Sequence, residues 1–357
     1  MGESDPVDRS ETRVISGSDS YLMGEPIPPV TTSSFGHDAF HWTGEMNKAS
    51  AVMLVERGIV SKALGRRIAE AIVKVATAAD RPGNYQVVEK LLVAAGGPDV
   101  TRVHSGRSRQ DMLSTSHRLF VRDQLLDTVD SLGRLRRALL DLASKHRADL
   151  VPAYTHNVQA QPTTFGHYLL AFAASLGRVA ERAREAYVRL NRSPLGAGAL
   201  GTSSFPIDRM RLAELLGFDG VVENAYDANH VAPFDMSADM AALASSGALA
   251  VGALLNDVLG QYRQVSPWIA VREGGLTGTS TMMPQKRNPM ILVAARHQAS
   301  SVLTVANGCL VVAHNIGSGL LEHRGNEALR TLQQSARLYD MAAAAVTSLV
   351  FDAAAMS

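Results

Sequence analysis

The chain has one cysteine in 357 residues, Cys309, set in an apolar run, so an internal disulfide framework is excluded. A reducing, cytoplasmic setting is expected, with Cys309 as a small core residue. An excess of either charge is missing too. Lys plus Arg number 35 against 34 Asp plus Glu, and the basic residues are spread along the chain. Neither a nucleic acid nor an anionic membrane is therefore an expected partner. The opening MGESDPVDRSETRV lacks the basic and apolar regions of a secretory signal and is expected to be unstructured for about ten residues. Long lipid-compatible runs are also scarce. The best candidate, residues 240–258, is largely Ala, Ser and Gly, which suits close packing inside a helical bundle.

Aromatic residues make up only 5% of the chain, and alternating Val/Ile/Thr runs are nearly absent, so little β-structure is expected. What dominates is alanine-rich sequence with helical period, at about 45–57, 62–80, 108–147, 163–192, 237–264, 290–313 and 326–351. This predicts an all-α, elongated multi-helix chain. Residues 1–107 read as an N-terminal helical domain and 108–351 as a central bundle of long helices. Faces that are apolar or small on more than one side need more partners than one chain supplies, which predicts a homo-oligomer.

Three polar segments interrupt the helices. In VHSGRSRQDML (103–113), Ser108 and Asp111 have capping-box spacing at the start of a long helix, and free amides there with Arg107 and Arg109 suit a carboxylate or phosphate. A surface turn with its arginines paired to nearby acids fits that segment equally well. In YTHNVQAQPTTFGHY (154–168), five polar side chains, His156 among them, precede Pro162 and another helix. In REGGLTGTSTMMPQKRNPMIL (272–292), glycines suggest a hinged loop, and Asn288–Pro289 reads as an N-cap and first helical residue. Lys286 and the helix amides would then converge on an anion beside Ser280 and Thr281. Ser280 has neither a local base nor a GxSxG elbow, so proton abstraction suits it better than hydrolase-type attack. His323 sits beside Glu322 without a further ligand at metal spacing, so no metal site is expected.

These segments resemble the motifs of the aspartase/fumarase superfamily, and within it the argininosuccinate lyase branch. TSTMMPQKRNP resembles GSSxMPxKxN, HSGRSRQD resembles HTGRSRND, and YTHNVQAQP resembles YTHLQRAQP. PLGAGALGTSSFPIDR (194–209) and NAYDA (224–228) are also typical of the branch. The resemblance implies a homotetramer whose active sites are shared by three subunits, and a β-elimination that releases fumarate from an N-substituted aspartate without a cofactor. It makes Ser280 the base, with Lys286 and Asn288 holding a carboxylate. Thr155 and His156 take substrate and catalytic positions, and Ser108, Arg109 and Gln110 take binding positions. An ungapped alignment puts Asn47 where the branch has a substrate-binding serine and Tyr85 where it usually has histidine. The family's further C-terminal helical domain is expected to be largely absent here. Where argininosuccinate lyases continue NPD and later YNKDLQEDK, this chain has Met290 and LLEHRGNEA from Leu320. An apolar Met290 and Leu320 would suit a bulkier apolar amine than that of argininosuccinate. The chain as a whole resembles the related carbon–nitrogen lyases acting on ethylenediamine-N,N'-disuccinate.

Overall fold

The computed structural model describes residues 36–77, 81–320 and 326–352. The N-terminal stretch expected to be unstructured and the Glu322–His323 pair lie outside these residues.

The long helical periods become α1 (Ala39–Glu56), α2 (Lys62–Ala76), α4 (Arg109–Lys145), α5 (Phe165–Leu190), α8 (Ala232–Gln261), α9 (Met290–Ala313) and α10 (Glu327–Thr347). Between them lie α3 (Tyr85–Gly96), α6 (Arg209–Leu215), α7 (Ala225–His230) and a 3-10 turn at Pro98–His104. Their starts are chemically marked. Asp38, Ser61, Asn84, Ser108, Thr164, Asp208 and Asn224 each accept a backbone N–H of the helix that follows.

Five helices, α4, α5, α8, α9 and α10, make the bundle, and polar contacts fix their directions. Tyr168 at the start of α5 donates to Asp257 near the end of α8 at 2.8 Å, whereas Arg189 near the end of α5 pairs with Asp239 near the start of α8 at 2.8 Å. Those two helices are antiparallel. Cys309 late in α9 donates to the Ser237 carbonyl early in α8 at 3.5 Å, so α9 runs back alongside α8. Ser131 and Arg134 of α4 both reach Asp340 of α10, and Thr128 reaches the Leu332 carbonyl, so α10 runs with α4. The helices approach closely where side chains are small. A Cβ at Gly247 of α8 would stand 1.8 Å from the hydroxyl of Tyr339, which is fully buried in α10. α8 is long and apolar enough to cross a membrane, yet Met240, Ala244, Val251 and Leu255 lie inside the bundle core. A second core joins α1 to α3 with Leu119 of α4 and with Leu195 and Phe218 of the following segments.

Three short ribbons break the all-helical pattern. β1 (Leu150–Thr155) pairs antiparallel with β2 (Val158–Thr164), β3 (Ile269–Val271) with β6 (Leu349–Phe351), and β4 (Gly278–Thr279) with β5 (Arg287–Asn288). The first corrects the expectation of a helix starting just after Pro162. Pro162 lies opposite Pro152 in a two-stranded ribbon, whose free edges tolerate missing N–H groups, and Thr164 caps α5 instead.

Candidate active site

At the α4 start, the sequence-identified residues form one network with α1 and α3. Asn47 and Ser50, three apart on α1, form a receptacle for the buried guanidinium of Arg107. Nη1 donates to the Ser50 hydroxyl at 2.7 Å and to the Met46 carbonyl at 3.2 Å, Nη2 donates to Asn47 Oδ1, and Nε donates to His104 Nδ1 at 3.1 Å. Burial holds the Arg107 guanidinium down to about 10 and His104 down to about 3, the latter with help from the Arg107 charge. The imidazole is thus neutral at ordinary pH, and with Nδ1 accepting from Arg107 its Nε2–H is left to donate to the Tyr85 hydroxyl. Asn47, expected at the substrate, is only 1% exposed and is spent on Arg107.

Ser108 and Asp111 complete a capping box: the Ser108 hydroxyl accepts from the amides of Gln110 and Asp111, and the Asp111 carboxylate accepts from the Ser108 amide at 2.9 Å. This narrows the expectation of a row of free amides for an anion, since the helix's own cap takes those of Ser108, Gln110 and Asp111. The Asp111 side chain also accepts from the Gly196 and Gly198 amides at 2.9 Å each, tying the 194–209 motif to α4. Gly198 is required there: its φ is +66°, and a Cβ would stand 2.9 Å from the Thr202 carbonyl oxygen. Burial pushes the Asp111 carboxyl up to about 6 against the pull of its three amide donors. Arg109 remains exposed, and among the described residues it has no ion-pair partner. A cavity of about 290 Å³ opens between α3 and α4, lined by Tyr85, Glu89, His104, Ser108 and Arg109.

At the opposite end of the bundle, the other segments form two projecting hairpins. The β1–β2 ladder closes with Thr155 opposite Val158, leaving His156 and Asn157 as a two-residue turn with φ of +50° and +61°. Both central residues are left-handed, as a type I′ turn demands, and Asn at the second position suits it. Thr155, His156 and nearly all of β2 are exposed. The second hairpin carries Ser280, Thr281 and Lys286 in the loop between β4 and β5. The structure corrects two expectations here. The loop is closed at its base by the Gly278–Asn288 and Thr279–Arg287 pairs and by an Arg287–Glu273 ion pair at 3.0 Å. Asn288 is a strand residue, not an N-cap, and α9 starts after Pro289 without a side-chain cap; the Ile291 amide goes to the Leu276 carbonyl at 3.2 Å. Within the loop the Met283 amide donates to the Ser280 hydroxyl at 3.2 Å. Met290 packs against the hairpin base, where a Cβ on Gly278 would come within 3.0 Å of its Cγ.

Helix lengths separate these clusters within one chain. α4 has 37 residues, so Ser108 at its start and the hairpin beyond its end stand roughly 55 Å apart. Met290 opens α9 and Leu320 follows its end, so its 24 residues put about 36 Å between them. One chain does not bring Met290 and Leu320 into a single pocket. The residues that sequence reasoning missed are His104 and Glu89. The signal available for Glu89 was its spacing of four from Tyr85, which puts both on one helical face.

Comparison with known proteins identifies the family and agrees with the fold. Residues 45–304 match the Lyase family model. Argininosuccinate lyase of Methanocaldococcus jannaschii is 34% identical over 304 residues, covering 82% of this chain and 61% of that protein. Argininosuccinate lyase of Bordetella pertussis is 40% identical over 239 residues, covering 65% of this chain and 48% of that protein. The crystal structure of EDDS lyase in complex with formate superimposes with a TM-score of 0.80 at 28% identity, covering 89% of this chain and 64% of that one. The chain thus spans between about half and two-thirds of the length of these relatives. With the family model matched over most of its length and the helical bundle shared, the chain belongs to the aspartase/fumarase superfamily of lyases.

Proposed function

We propose that this protein is a carbon–nitrogen lyase that eliminates fumarate reversibly from an N-substituted aspartate, with Ser280 as the base. The observation that carries the reading is the Ser280 hydroxyl, held by the Met283 amide at 3.2 Å in a loop that also bears Lys286. An amide donor on the oxygen favours the alkoxide needed to take a proton from carbon, and a cation carried on the same loop would add to that in the closed site. Loss of that proton places a second negative charge on the adjacent carboxylate, giving an aci-carboxylate. Lys286 and Asn288 supply cationic and amide donors to that charge, and the C–N bond then breaks to release fumarate and the amine. Closing the hairpin over the substrate excludes water.

Such a site needs more than one copy of the chain. Its binding residues at the α4 start stand about 55 Å from the His156 hairpin. A homotetramer with sites shared by three subunits answers that separation. Support comes from apolar side chains left exposed on the bundle helices, among them Leu113, Leu126, Leu249 and Val311. The exposed position of His156 at the tip of its hairpin supports a role in a neighbouring copy's site.

Ethylenediamine-N,N'-disuccinate is the first reading, supported by the structural neighbour at 28% identity. Argininosuccinate is the second, and the curated sequence relatives at 34% and 40% identity support it more strongly. Fumarate absorbance measured with both compounds and a panel of other N-substituted aspartates tests the proposal. The reading expects release from at least one, and a loss of about a thousandfold in Ser280→Ala. Turnover retained in Ser280→Ala would remove Ser280 as the base, and turnover of argininosuccinate alone would replace the first substrate with the second.

A further inference from the structure

The cavity between α3 and α4 contains opposite charges that do not meet. Arg109 lines it and, among the described residues, pairs with no carboxylate. Glu89 lines it as well, and its nearest positively chargeable neighbour is His104, with Nε2 at 3.8 Å. That distance is too long for a hydrogen bond. His104 also carries no charge at neutral pH, because burial and Arg107 keep it unprotonated. The Arg107 guanidinium is close enough to feel the Glu89 charge, but its hydrogen bonds go to Asn47, Ser50, the Met46 carbonyl and His104 rather than to Glu89. Glu89 therefore presents an anionic, half-buried carboxylate to the cavity. Tyr85, one turn earlier on the same face of α3, is fixed by its hydroxyl bond to His104 and forms an aromatic wall beside it.

We infer that Glu89 is a specificity residue, receiving a positive charge on the amine side of the substrate while Ser108 and Arg109 hold a carboxylate of its succinyl group. This rests on the proposed lyase reading and deepens it, since it restricts the substrate class. The site prefers N-substituted aspartates whose amine substituent carries a second cationic nitrogen. A cavity of about 290 Å³ accommodates a group of a few heavy atoms, and the Tyr85 ring next to Glu89 offers a cation a favourable face. A neutral substituent of the same size would leave the Glu89 carboxylate without a partner in a partly desolvated pocket.

The test compares N-(2-aminoethyl)aspartate with N-propylaspartate, which match in heavy-atom count and differ in the terminal charge. In the full-length protein, Glu89→Gln should raise KM for the aminoethyl compound about tenfold or more while kcat changes less than about twofold. KM for the propyl compound should stay constant or fall, and Glu89→Asp should restore part of the preference. Equal effects on both compounds, or none, would overturn the assignment. Calorimetric binding of the same two compounds to parent and Glu89→Gln keeps the two readings apart. If the parent protein releases no fumarate from either of these or from any other N-substituted aspartate, the lyase reading fails. Glu89 as a cation receptor then stands only if the parent binds the aminoethyl compound more tightly and the variant loses that difference.

Discussion

The two ends of the bundle handle polar residues in opposite ways. At the α4 start, charged groups are buried and knitted together: Arg107 holds α1 to the 3-10 turn, and Asp111 holds α4 to the 194–209 motif. At the far end, the polar residues stand exposed on two hairpins, and few of their side chains bond to the rest of the chain. At the first end the side chains are fixed by folding within one chain. At the second, two hairpins project from it, and on the proposed reading they act on a neighbouring copy. Substitutions should follow the same division, costing stability at one end and turnover at the other.

The largest expected effect is at the projecting end. Lys286→Ala should lower fumarate release by about a hundredfold or more, the usual cost of one preorganised donor to a developing oxyanion, with an unchanged melting temperature. A comparable loss of stability would show that the hairpin belongs to the knitted part after all. At the other end, Asp111→Ala leaves the Ser108, Gly196 and Gly198 amides without their acceptor. It should cost roughly 3 kcal/mol in chemical denaturation, since each orphaned buried donor costs about 1–3 kcal/mol.

A smaller effect, with a sign that distinguishes partners, comes from pH. His104 is held down to about 3 in the folded chain, so its contribution is complete above about pH 6.5 and is lost as pH falls. Asp111 is pushed up to about 6, so its contribution is largest in acid and declines as pH rises from about 4 to 6. Between pH 7 and 5 the two oppose each other, each by about 1–2 kcal/mol. Denaturation of Asp111→Asn should therefore show stability falling on acidification, and His104→Gln should show it rising. Matching slopes in the two variants would contradict the assigned burial. The smallest effect is at the tip of β1–β2. Asn157→Gly should change stability by less than about 1 kcal/mol, because the turn already has the left-handed geometry that glycine adopts freely.

Much of this architecture could be read from residues. The long helices announce themselves by period and by capping residues, and the capping box at Ser108 and Asp111 forms as its spacing dictates. The β1–β2 hairpin was hidden because β2 is exposed on both faces and so has no apolar alternation, while Pro152 and Pro162 argue against a strand. α3 was hidden between turn signals on both sides. Asn288 looked like a cap because Pro289 follows it, but its pairing with Gly278 closes the Ser280 loop instead. Arg107 looked like an exposed anion ligand, and nothing local reveals that Asn47 and Ser50, some sixty residues earlier, bury it. The candidate site residues were legible as motifs, and their separation follows from the long helix already expected at 108–147, which the structure shows as α4.

A mixing experiment tests the shared site most directly. Arg109→Ala disables the α4 start and Ser280→Ala the hairpin, so each variant alone should release fumarate at about a hundredth of the parent rate or less. Unfolded together and refolded as mixed oligomers, they should regain a clear fraction of parental activity, because some sites then combine an intact α4 start from one copy with an intact hairpin from another. A refolded mixture that is fully oligomeric, yet no more active than its separate components, would contradict a site shared between chains.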